Sequence, residues 1–90
     1  MTADEIDQLF TNFSKFLQEK NKRYGDSALT PEHIFCKESE STQITSRLDD
    51  KLSRIKNSDT LRKNDVADVM GYVALLLIQN GWLTFDELLD

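Results

Sequence analysis

Ninety residues, sixteen acidic against eleven basic, carry a net charge of −5 at neutral pH, which argues against a general DNA or RNA binder. A local basic pocket for one small anion stays compatible with that balance. The single cysteine, Cys36, rules out an internal disulfide, and His33 with Cys36 supplies too few soft ligands for structural zinc, so both read as packing and surface residues.

Residues 1–90 read as a single small helical domain. A domain of this size buries only about 60–65% of the surface its unfolded chain exposes, so oligomerisation is the expected route to stability. The acidic start "MTADEIDQ" shows no signal-peptide pattern, and the apolar run from Val73 to Ile78 falls far short of a bilayer span. A soluble, cytoplasmic protein with no membrane partner is expected.

In chain order, the first helix is expected over residues 3–22. Thr2 and Glu5 make a T-x-x-E capping box, and Ile6, Leu9, Phe10, Phe13, Phe16 and Leu17 recur at spacings of three and four. Phe10, Phe13 and Phe16 spread so widely that a 90-residue monomer cannot cover them all, which predicts a homo-oligomer, most simply a two-fold dimer. Gly25 then ends the helix. Thr30, Pro31 and Glu32 read as N-cap, first position and first turn of a short helix.

After the polar stretch "KESESTQ", Ile44, Leu48, Leu52 and Ile55 trace one stripe of a second helix, from about Thr42 to Lys56, which "NSDT" breaks. A third helix is expected from Thr60 or Asn64 to Gln79, stopping at Asn80-Gly81. Thr84 and Glu87 form a second T-x-x-E box, predicting a short terminal helix behind Trp82. No strand-like alternation occurs. The fold class is all-α: three long helices with short accessory ones.

The residues with chemical potential cluster in three places. At the head of the third helix, Asp65 and Asp68 share a face, with Tyr72 between them on the helical wheel. Their apolar neighbours on the wheel are Val66, Val69, Met70, Val73, Leu76 and Leu77. Two readings stand: acids favoured by the helix dipole, with Asn64 as cap, or ligands sharing a cation such as magnesium. On the second helix, Asp49 and Asp50 lie beside Arg47, Lys51 and Arg54. They read either as facing acids of an antiparallel hairpin or as a solvated surface with an Asp50–Arg54 pair. Lys20, Lys22 and Arg23 precede Tyr24-Gly25, bringing cations, an aromatic plane and open backbone together, as a phosphate-bearing ligand needs. Basic residues at a helix C-terminus also complement its dipole.

Taken in order, "KNKRYGDSAL…IF", "RLDDKLSRI" and "DVADVMGYVALLLI" resemble small phage and prophage proteins of the nucleotide-modification-associated type. These are similar to the all-α MazG-like nucleoside triphosphate pyrophosphohydrolases. The resemblance covers roughly residues 20–80 and implies a helical-hairpin core. In that family magnesium is held by E-E-x-x-E on one helix and E-x-x-D on the next. The second motif falls on Asp65 and Asp68, and the first on Asp49, Asp50 and Ser53, so a serine stands where the last acid belongs. A hydroxyl is a poorer magnesium ligand than a carboxylate and adds no charge.

Three functions follow from these residues and this resemblance. The first is a non-catalytic, phage-type oligomer that captures a nucleotide or a cyclic-nucleotide signal, with an anti-defence role in the host cytoplasm. Its ligand would be held by Lys20, Lys22, Arg23, Tyr24, Arg47, Lys51, Arg54 and Tyr72. The second is a magnesium-dependent nucleotide pyrophosphohydrolase using Asp49, Asp50, Asp65 and Asp68. The third is a helical protein–protein adaptor. Ser53 favours the first over the second, and the aligned acids favour either over the third.

Overall fold

The computed structural model describes residues 1–23 and 40–89, and all regular structure among them is helical. Tyr24, Gly25, the short helix expected at Thr30–Pro31–Glu32, His33 and Cys36 lie outside the described residues. The chain divides into two compact units, Met1–Pro31 and Glu32–Asp90.

The first unit is built on α1, Ala3–Arg23. It starts where the capping box places it: the Thr2 backbone N–H donates to Glu5 Oε1 at 2.9 Å, and the Glu5 N–H donates to Thr2 Oγ1 at 3.1 Å. Two N–H groups that the helix cannot satisfy internally are thereby paired. Phe13 and Phe16 stack at a tilt with ring centroids 5.9 Å apart, and Lys20 Nζ lies 5.2 Å from the centre of the Phe16 ring. Phe13 and Leu17 are half-buried. Ile6, Leu9, Phe10 and Phe16, on the same stripe, are exposed.

The second unit is a helical hairpin of α2, Glu40–Asn57, and α3, Lys63–Gln79. Residues 58–62 connect them, short enough to force neighbouring, antiparallel helices. Ser58 organises this turn: its Oγ donates to the Thr60 carbonyl at 2.7 Å and accepts from the Thr60 N–H at 3.3 Å. The hydroxyl stands in for backbone partners that neither helix supplies. Ile44 on α2 and Leu75 on α3, 2% and 8% exposed, are the buried apolar side chains among the described residues.

Leu75 corrects the expected core arc of α3. On the wheel Leu75 lies about 20° from Asp68, whereas Val66, Val69, Met70, Val73, Leu76 and Leu77 lie about 80–200° away. Leu75 is buried, Val66 and Val73 are exposed, and the other four are half-buried. A helix apolar on two sides needs neighbours on two sides, and α2 covers one.

The end of α3 follows the expected signal. The Gly81 N–H donates to the Ile78 carbonyl at 3.0 Å and the Trp82 N–H to the Leu77 carbonyl at 2.9 Å, the paired bonds of a Schellman cap. Gly81 sits at φ +72°, a left-handed conformation that side-chain-bearing residues avoid. Asn80 Nδ2 adds a bond to the Leu76 carbonyl at 2.7 Å. The second T-x-x-E box does not form a capped helix. Residues Asp86–Leu88 make a single 3-10 turn entered at Phe85 with no side-chain cap, too short a run to propagate. No helix among the described residues is long and apolar enough to cross a membrane.

Candidate functional site

The site begins with the two aspartates of α3. Helix α3 enters through Arg62, which is extended and makes no side-chain cap bond, so Asn64 lies inside the helix rather than capping it. Asp65 falls in the first turn, where the dipole favours a carboxylate. Asp68 lies beyond that turn and needs another source of positive charge. It finds one on α2: Lys51 Nζ stands 2.9 Å from Asp68 Oδ2.

The two side chains are 20% and 24% exposed, so the pair is shielded from water but not sealed from it. A contact of this kind contributes about 1 kcal/mol, the upper end for pairs that remain hydrated. Its geometry matters more than its strength. In an antiparallel hairpin, joining 51 to 68 puts Arg54 level with Asp65 and Arg47 level with Tyr72. The same register puts Ile44 level with Leu75, in keeping with the burial of those two side chains.

The hairpin therefore carries two rows that run level with each other along its length. Arg47, Lys51 and Arg54 lie three and four apart on α2; Asp65, Asp68 and Tyr72 do so on α3. Arg47 and Arg54 are exposed, while Asp65 and Tyr72 are half-buried. Asp68 and Lys51 offset each other, leaving the two guanidiniums to present planar, bidentate donors at the rim.

The other expected acids lie elsewhere. With Lys51 turned toward α3, Asp50 is rotated by about 100° and Asp49 by about 160°, and Ser53 points away with Asp49. Asp49, Asp50 and Ser53 are exposed. Among the described residues no three His, Cys, Asp or Glu side chains come close enough to hold a metal ion. The four carboxylates Asp49, Asp50, Asp65 and Asp68 thus do not converge across a cleft. Lys51 Nζ is the cation that stands beside Asp68.

The expected Asp50–Arg54 pair is not formed among the described residues; Lys51 reaches across the helices instead. That pairing had a signal in the sequence: Lys51 borders the Ile44–Leu48–Leu52–Ile55 stripe, so its head group had to emerge at the seam.

The cation block belongs to the other unit. Arg23 Nε pairs with Glu19 Oε1 at 3.0 Å along α1, Lys20 lies over Phe16, and Lys22 is exposed. Local partners thus engage two of its three cations.

Comparison of the chain with protein-family models, with curated proteins and with solved structures finds no match.

Proposed function

We propose that this chain is a non-catalytic, homo-oligomeric binding protein for a nucleotide or nucleotide-derived anion, held on the basic face of the α2–α3 hairpin. The observation that supports this reading is the Lys51–Asp68 contact, whose antiparallel register sets Arg54 level with Asp65 and Arg47 level with Tyr72. Guanidiniums bind phosphate oxygens bidentately, and a tyrosine ring offers a plane on which a base can stack. The phage-protein resemblance supports the same ligand class.

Ser53 and the outward Asp49 favour binding over turnover, since phosphate–phosphate hydrolysis needs an acidic cluster to hold magnesium and orient water. The adaptor reading draws on a different observation, the exposure of Trp82, Leu83 and Phe85 beyond α3. A calorimetric titration with nucleoside mono-, di- and triphosphates and cyclic nucleotides, with and without magnesium, tests the proposal. Saturable binding that does not require magnesium supports it. No heat with any member of the panel refutes it.

A further inference from the structure

We propose that α1 pairs with α1 of a second copy of this chain in antiparallel orientation, with Ile6, Leu9, Phe10, Phe13 and Phe16 forming the seam. The inference rests on the oligomeric part of the reading above and is independent of the ligand. One observation is the stripe itself. These five residues recur at spacings of three and four, the pattern of a two-helix seam, yet Ile6, Leu9, Phe10 and Phe16 are exposed, Phe10 at 57%.

The charges of α1 name the occupant and its direction. Residues 3–12 hold Asp4, Glu5 and Asp7 and no base, net −3; residues 13–23 hold Lys15, Lys20, Lys22 and Arg23 against Glu19, net +3. The helix dipole accounts for charges in the terminal turns, but Asp7 and Lys15 lie outside them. Two parallel copies would set acidic half against acidic half. Two antiparallel copies set −3 against +3 at both ends, with the two-fold axis near the middle of the helix. A partner for this face must carry an apolar stripe and the opposite charge gradient, and a reversed second copy carries both.

The experiment uses the full chain in a Cys36→Ser background, with a spin label on Ala3→Cys. Sedimentation measures the mass and pulsed spin resonance the distance between labels. The expected results are a dimer that weakens with salt and labels about 25–30 Å apart, from the 1.5 Å rise per residue. Phe10→Asp, at an exposed position, raises the dissociation constant at least tenfold with helix content unchanged. A dimer with labels about 10 Å apart, or one indifferent to Phe10→Asp, overturns the antiparallel α1 pair and leaves the oligomer standing. A concentration-independent monomer overturns both, and nucleotide calorimetry still decides the ligand reading separately.

Discussion

Lys51 Nζ and Asp68 Oδ2 lie 2.9 Å apart across the α2–α3 hairpin, and this contact fixes which faces of the two helices meet. On α3 alone, Asp68 is open to two readings, an acid favoured by the helix dipole or a cation ligand. It reads as half of an interhelical pair once α2 is beside it. Removing one partner takes a charge-assisted contact away from a half-shielded group. Lys51→Met and Asp68→Asn should each cost about 1 kcal/mol or somewhat more, with a coupling of about 0.5–1 kcal/mol in a double-mutant cycle. Urea unfolding of the four proteins measures it. Additive effects would show that the contact does not hold the register.

Asp65→Asn tests a different kind of charge. Asp65 lies in the first turn of α3, and losing its charge should cost a few tenths to about 1 kcal/mol through the helix dipole. Ligand affinity should not fall, because the carboxylate is not assigned to the ligand in this account. A large loss of magnesium-dependent binding, with the fold intact, would restore a metal role to Asp65.

Helix ends give two stability predictions with named causes. Thr2→Ala removes one side of the reciprocal Thr2–Glu5 cap and should lower stability or α1 helicity by about 1 kcal/mol, read from thermal melts by circular dichroism. Gly81→Ala places a Cβ at φ +72°, where no neighbour lies within 4 Å, so any cost is backbone strain alone. It should be about 1–2 kcal/mol, and Gly81→Asn should lose less, because asparagine tolerates this conformation better.

How much of this was legible in the sequence depends on how local the cause is. The capping box at Thr2 and Glu5 and the stop at Asn80-Gly81 are short-range signals, and the structure places both as the residues imply. The T-x-x-E at Thr84 shows the limit, since a box without a following apolar period has nothing to nucleate and yields one 3-10 turn. Spacing put Asp65, Asp68 and Tyr72 on one face correctly. It did not show which face of α2 they meet, because that depends on packing. The Ile44–Leu75 level and the Lys51 head group decide it, turning Asp49 and Ser53 outward. The apolar arc of α3 misled for the same reason: α3 is apolar on two sides, and periodicity alone does not say which side takes the hairpin partner.

The rim arginines carry the ligand claim. Arg47→Gln and Arg54→Gln should each weaken binding of a phosphate-bearing ligand by about 1.5–3 kcal/mol, roughly 10- to 150-fold, with little change in stability because both side chains are exposed. Lys51→Met should weaken it as well, but with a measurable loss of stability. Equal affinities for the unmodified chain and both arginine variants would move the site off this face.

The central claim is binding without turnover on the hairpin face, and one measurement addresses it directly. The purified chain is incubated with a panel of nucleoside triphosphates and cyclic nucleotides plus magnesium, and bound ligand and released pyrophosphate are quantified from the same samples. The account predicts stoichiometric bound nucleotide that is lost in the Arg47→Gln, Arg54→Gln double variant, with no pyrophosphate above the protein-free control. Pyrophosphate released in multiple turnovers, or no bound nucleotide from any member of the panel, would contradict it.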